Sequence, residues 1–456
     1  MPSRCSETDP DKLALLYVQQ WLQEQGYVEA LAVLEKQSGL MYDDSKLTKG
    51  SQLMQLVYQQ MEQEAGGEGE GAEAAAQRAE EEQMLRGGAQ DFVQCVVHDI
   101  ASAHPSSVTA VRLLPNCQQL VTGSGDGVVR RLSWQGELVW ASGVGQGGVL
   151  CLDLHPSCTG SGVAVDVATG QDVAAPSPDL GHEEGSAAAT QPTGEAAPSC
   201  PLLAAGSMDG SVSLLDLTTG TCLTAARVHL KYLVRVVWCG AELLATCSHD
   251  QHVGLHAVSV AGQGGGSLTV TLTTLRKVSY AAAVQDIALL RGSGTLAVAV
   301  RGSHLLRLLQ LHDPVAPEGL VNLNASGDSH VSFSARHLLP SPCSRFLLVS
   351  TDTGRMLVLR CGPAAADFRH TPYVMHSLPT EQFHQFAAAW HRDAFYVYAG
   401  ALGGQVWVYH VGSGKVVARL PVHKINVRDL HYDPRRNLLA TASFDKTVKV
   451  LGARVS

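Results

Sequence analysis

The densest group of metal-competent side chains is His249, Asp250, His252 and His256. Three of them have the chemistry to hold a tetrahedral zinc ion. Their spacing opposes it: His249 and Asp250 fall at a turn and His256 well down the next strand, roughly 20 Å away at the rise of an extended chain. Glycines offer two further candidates. Gly143-Val144-Gly145-Gln146-Gly147-Gly148 matches the G-x-G-x-x-G loop that cradles a dinucleotide pyrophosphate, but such a loop must open a helix. Instead, Val149, Cys151 and Leu154 come next, in a short strand ending at Pro156. Gly412-Ser413-Gly414-Lys415 has the look of a phosphate loop, yet Tyr409 and Val416 stand where glycine and Ser/Thr are required, so it reads as a hairpin turn. No carboxylate pair and no nucleophile-base pair stands out. The sequence therefore assigns no catalytic residue, no cofactor and no metal, and the expected protein is not an enzyme.

Composition narrows the class further. A chain of 456 residues with 45% hydrophobic and 16% charged residues and 45 glycines suits many tight turns in several domains or repeats. A net charge of −9 gives no chain-wide attraction for phosphate backbones or anionic lipid, so neither nucleic acid nor membrane is an expected partner. No stretch approaches the roughly 20 apolar residues needed to cross a bilayer. Eleven cysteines occur with no Cys-x-x-Cys pair, which fits buried free thiols in a reducing compartment. The expected setting is soluble and cytoplasmic, with the cytoskeleton, the centrosome and the nucleus left open.

Residues 1–62 read as helical. Asp9-Pro10 is an N-cap followed by proline at the first helical position, and Leu13, Leu16, Val18, Trp21 and Leu22 recur at helical spacing up to Gly26. A second helix is expected over Tyr27–Lys36, with Ala30, Leu31 and Leu34 on one side and Gly39 as its stop. Two helices this short cannot hide such a stripe alone, so a four-helix pairing of two chains would bury it. A helical hairpin packed on its own propeller is the alternative. The run Trp21, Leu22, Gly26, Tyr27, Glu29, Ala30, Leu34, Ser38 and Gly39 resembles a LisH motif over residues 9–41, and that resemblance implies homodimerisation. A further helix is expected at 47–62, with Leu53, Leu56, Val57 and Met61 at helical spacing. Too few apolar residues follow Met61 for the CTLH module that some LisH proteins carry. Residues 63–90 are an acidic Glu/Ala/Gly linker, too poor in large apolar groups to offset its ordering entropy.

From residue 91 the chain repeats itself. His104 to Asp126, His330 to Asp352 and His423 to Asp445 each span 22 residues, and His229 to Asp250 spans 21. Asp209 ends a further copy, and Gly302 and Gly403 stand where two more would place an aspartate. The last copy, His423 followed by NVRDLHYDP and NLLATASFDKTVKVL, resembles one WD40 repeat. The resemblance implies an all-β, seven-bladed propeller over 91–456, preceded by the small α-helical motif. It also implies structural roles for His104, Asp126, Asp209, His229, Asp250, His330, Asp352, His423 and Asp445. The family's usual tryptophan, six residues after the turn aspartate, is replaced by Leu132, Leu215, His256, Leu308, Val358, Tyr409 and Leu451, so its polar network is expected to be incomplete in every blade. One spacing is far too long and contains residues 158–200, expected to be a disordered insertion. There Ser177-Pro178 is a weak phosphorylation motif.

The last copy stops near Leu451 after three strands, while residues 92–100 form a strand with none of its own to pair with. Placing that strand in the last blade closes the ring and removes two exposed edges. Together these readings imply a scaffold that binds other proteins through its propeller faces and self-associates through the LisH helices. By resemblance, such proteins serve microtubule, centrosome, cilium, corepressor or degradation complexes. The alternative is a substrate receptor of a ubiquitin ligase, although the Trp-Asp-x-Arg tetrapeptide common in cullin-type receptors is missing.

Overall fold

The structure, a computed structural model, describes residues 10–24, 27–42, 53, 83–84, 91–101, 103–115, 117–159, 163–165, 172–174, 201–263, 267–291, 293–313, 315–331, 333–362, 364–375, 378 and 386–453. It divides into two compact units, Met1–Glu82 and Gln83–Ser456.

In the first unit, helix α1 spans Pro10–Glu24 and helix α2 spans Val28–Ser38. Gly39 ends α2 in the left-handed conformation at φ 68°, its N–H donating to the Glu35 carbonyl, a cap that costs glycine nothing. The Trp21 and Tyr27 rings pack 5.7 Å apart across the junction, and Gln19 Nε2 donates to the Leu40 carbonyl at 2.7 Å. Leu31 is buried, and Leu16, Val18, Trp21, Leu22 and Leu34 are half-buried. Leu13, Tyr27 and Ala30 are exposed, as are Val28 and Val33. The helix expected at 47–62 lies, except for Leu53, outside the described residues.

The second unit is a seven-bladed propeller, each blade a four-stranded antiparallel sheet. The innermost strands, in ring order, are Val108–Leu113, Val149–Leu154, Leu233–Trp238, Val284–Leu290, Ala335–Pro340, Ala388–Trp390 and Val427–Asp433. Neighbouring sheets expose alternate small and branched side chains to each other. The core is accordingly seven apolar clusters, each shared by two adjacent blades, and the seventh joins the last blade to the first. Met84 is buried between blades 5 and 6, so packing of this unit starts earlier than residue 91.

Ring closure obeys the pairing expected from the unpartnered ends. Cys95–Ile100 runs antiparallel to Val448–Gly452 as the outer strand of blade 7. Just before it, Phe92 and Val93 are buried, and the Val93 N–H donates to the Tyr398 hydroxyl at 3.1 Å.

The segment 158–200 is not structureless throughout. Pro156–Thr159 makes a helical turn, and Val163–Val165 pairs with Asp172–Ala174 as a small ladder, because a short β-rich stretch can satisfy its own backbone groups. Ser177 and the rest of the segment lie outside the described residues.

Candidate protein-docking face and channel mouth

Each blade's chain runs along the inner strand, back along the second, along the third and back along the outer one. The turn between the second and third strands and the loop leading into the next blade therefore fall on the same face of the ring. All seven turn positions read from the sequence, 126, 209, 250, 302, 352, 403 and 445, lie at those second-to-third turns. Gly302 and Gly403 hold φ of 68° and 69°, which explains glycine there.

The turn aspartates tie this face together. Asp250 accepts from the Leu230 N–H at 2.9 Å, Asp445 from Lys424 N–H at 2.9 Å, Asp209 from Gln146 N–H at 2.7 Å and Asp352 from Ser334 N–H at 3.0 Å. Each bond joins a turn to the loop entering its own blade. In blade 3, His229 Nδ1 lies 3.0 Å from Asp250 and its Nε2 lies 2.8 Å from Thr246 Oγ1, which reaches His256 Nε2 at 2.9 Å. His256 thus fills the tryptophan position and completes a buried chain of polar groups, contrary to the expectation that every blade's network is broken. An imidazole offers the same donor as an indole, which matching residue types conceals. In blade 7, His423 reaches Asp445 at 3.2 Å and Thr441 at 2.8 Å. His104 binds Thr122 at 2.7 Å but sits 4.0 Å from Asp126, beyond hydrogen-bond reach.

His330 departs from its expected role. It is exposed, and its backbone closes a loop with Asn324 and Asp328, while Ser334 binds Asp352 through both N–H and Oγ. The 22-residue spacing spans a longer entry loop whose nearer serine makes the bond.

Burial keeps these histidines neutral. His104, His256 and His431, the last on the inner strand of blade 7 with its Nδ1 accepting from the Leu113 N–H, are each pushed down to about 4, mainly by burial. Protonation is thus favoured in the unfolded chain, whose histidines titrate near 6.5. Stability is full above that pH and is lost as pH falls toward 4, by up to about 1.4 kcal/mol per unit for each histidine. Urea midpoints measured from pH 7.5 to 4.5 are expected to fall below pH 6.5; a flat profile would contradict neutral burial.

The inner strands share a second device. In six blades the pairing register slips after the first residue of the strand, as between Val108 and Ala110, Leu233 and Arg235, or Val427 and Asp429. The bulged residues are Thr109, Leu150, Val234, Gln285, Arg336 and Arg428, and all six line one cavity at the mouth of the central channel. Bulges re-aim side chains. Here they turn two successive residues toward the axis, the second being Cys151, Arg235, Asp286, His337 or Asp429. The cavity holds about 260 Å³.

Its wall is ionic. Asp286 accepts from Arg235 at 2.8 and 3.0 Å, lies 3.0 Å from His337 and also accepts from the Leu338 and Ile287 N–H groups. Burial alone would raise its carboxyl, but the Arg235 guanidinium and then His337 hold it well below the usual range. Asp429 accepts from Arg112 at 2.7 Å and from the Val111 N–H at 2.9 Å across the seam between blades 7 and 1. Burial pushes the Cys151 thiol up to about 12, so it lines the wall uncharged. Against these two aspartates the cavity presents five arginines, the others being Arg301, Arg336 and Arg428.

Six exposed large apolar residues stand in loops of the same face: Met208, Leu230, Tyr232, Val331, Ile425 and Phe444, with Leu230 77% exposed. Among the described residues the opposite face has only Val315 in its loops; the other exposed apolar groups of this unit lie on outer strands around the circumference. Tyr232 packs on His249 with ring centroids 4.5 Å apart and bonds its Nδ1. His249 and His256 thus serve different networks. The described His, Cys, Asp and Glu that come within reach of a common ion are Asp91, His391 and Asp393, where Arg392 already pairs with Asp91.

The sequence marks the turns of this face but neither its cavity nor its exposed apolar residues. The available signal is charge inside inner strands that are otherwise apolar, as in LVRVVW and VQDIALL.

A family model described as WD domain, G-beta repeat matches residues 94–130 and 414–450. Each match begins one residue before the outer strand of one blade and ends on the third strand of the next, so the first includes the strand that closes the ring. No curated protein matches the chain.

Proposed function

We propose that this chain, a seven-bladed propeller with WD40 repeats, is a non-enzymatic scaffold that docks other proteins on the channel-mouth face. The carrying observation is that, among the described residues, the exposed apolar side chains in loops concentrate on the face that surrounds an arginine-rich centre. Exposed apolar patches rimmed by polar groups mark association surfaces, and aromatic residues and arginine supply most interface hot spots. WD40 propellers as a class bind proteins, which agrees. The reading includes pairing of two chains through α1 and α2, supported by the exposed Leu13, Tyr27, Val28 and Val33. Pairing would double the docking faces and raise avidity through effective concentration. We place the protein in the cytoplasm, with cytoskeletal, centrosomal and nuclear complexes as candidate settings.

Affinity purification with mass spectrometry tests it, using the full chain, a Leu230→Asp/Phe444→Asp variant and a chain lacking residues 1–62. The surface variant is expected to lose specifically captured proteins about tenfold, the effect of about 1.4 kcal/mol at a hot spot. The truncated chain is expected to sediment as a monomer and the full chain as a dimer. An unchanged set of companions on the surface variant would place docking elsewhere.

A further inference from the structure

Among the described residues, the cavity at the channel mouth is lined by five arginines and two aspartates. Arg112 and Arg235 are paired with Asp429 and Asp286. Among the described residues no hydrogen bond or ion pair holds the guanidinium of Arg301, Arg336 or Arg428, although Arg428 lies over the Phe444 ring at 6.0 Å. The nearby turn carboxylates are already committed: Asp209, Asp250, Asp352 and Asp445 are bonded to the turns and entry loops of their own blades. Burial lowers Arg428 to about 10, the direction expected of a guanidinium without enough counter-charge. These forks come from blades 4, 5 and 7 and line one cavity: Arg301 and Arg336 stand exposed at its rim, and Arg428 is half-buried, where a charge without a partner is unfavourable.

We propose that the mouth receives a phosphorylated serine or threonine side chain of a docked partner, held by Arg301, Arg336 and Arg428. This rests on the docking reading above and adds the chemistry of its centre. A cavity of about 260 Å³ admits a side chain and excludes a duplex or a bilayer surface. A carboxylate offers one charge and two oxygens. A phosphoryl monoester brings a charge of about −1.5 to −2 and three acceptor oxygens, which matches several separate guanidinium forks. The apolar residues around the mouth, Tyr232 and Phe444 nearest the ionic wall, would pack the flanking residues of the same segment and exclude water from its charge.

The test uses the purified full chain on peptide arrays whose central residue is phosphoserine, phosphothreonine, serine or glutamate, with randomised flanks. Phosphorylated members are expected to retain the chain about tenfold better than their serine and glutamate twins, falling steeply between 50 and 300 mM salt, concentrations on the order of those that screen such contacts. Arg301→Gln/Arg336→Gln, both at exposed rim positions, is expected to melt like the parent and lose that preference. Retention of glutamate peptides equal to phosphopeptides, no selective retention, or a preference intact in the double variant would each overturn the proposal. If the preference is lacking while Leu230→Asp/Phe444→Asp still abolishes capture of companions, the docking face stands and only its phosphoryl specificity falls.

Discussion

A chain lacking residues 91–103 is expected not to form a cooperative, monodisperse propeller. The deletion removes the outer strand of blade 7, which pairs along Val448–Gly452, and with it Phe92, Val93, Ile100 and Ala103, all buried. It also removes the Gln94 N–H bond to the Gly452 carbonyl and frees the Tyr398 hydroxyl. Fully burying each large apolar side chain contributes about 1.5–3 kcal/mol. Three such residues and a strand's hydrogen bonds thus reach the roughly 5–15 kcal/mol that holds a typical domain together. The edge left open is apolar and unpaired, a template for aggregation. Circular dichroism melts and size-exclusion chromatography should show a broad, early transition and large assemblies. A deletion variant with the parent's melting profile and elution volume would mean that the ring is held shut by something else.

Asp286→Ala is expected to destabilise the propeller by about 3–5 kcal/mol, the range for breaking a buried ion pair from one side. Asp286 is 2% exposed and is the common acceptor for Arg235, His337 and two backbone N–H groups from blades 4 and 5. Its loss leaves the Arg235 guanidinium facing a cavity whose remaining carboxylate, Asp429, is paired with Arg112, and two amides without an acceptor. Asp286→Leu/Arg235→Met removes both charges and is expected to recover much of the loss, because apolar replacement of a whole pair is often neutral. Denaturant unfolding of the three proteins gives the comparison. A cost below about 1 kcal/mol for the alanine variant would show that water or neighbouring carboxylates solvate Arg235 unaided.

The blade count is legible in the sequence because second-to-third turns need a residue that bonds the entry loop or, as Asp126 does through the Val128 N–H, the turn itself, or that tolerates positive φ, and Asp or Gly marks all seven. The closing strand is legible because Phe92–Ile100 and Val448–Leu451 are each left without a partner. Other features escape for identifiable reasons. His256 looks like a missing tryptophan, although what the blade needs there is a ring donor against Thr246. His330 fits a count of residues, but counting cannot see that an entry loop has lengthened and handed the bond to Ser334. The channel arginines escape because a bulge shifts which face a residue occupies. With strict alternation, Arg428 and Asp429 point to opposite sides; the slipped register after Val427 sends both to the axis. The short ladder in the 158–200 segment is hidden by its Ala, Gly, Ser and Pro composition.

The pairing of Cys95–Ile100 with Val448–Gly452 also sets a timetable for biosynthesis. The first β-strand of the propeller to leave the ribosome waits for nearly all of the chain before its partner exists, on the order of half a minute at 5–20 residues per second. Through that interval the nascent protein carries an unpaired strand at one end and an unfinished stack of sheets at the other. Its demand for chaperones should peak late, and premature stop codons ahead of Val448 should yield a product that cannot mature.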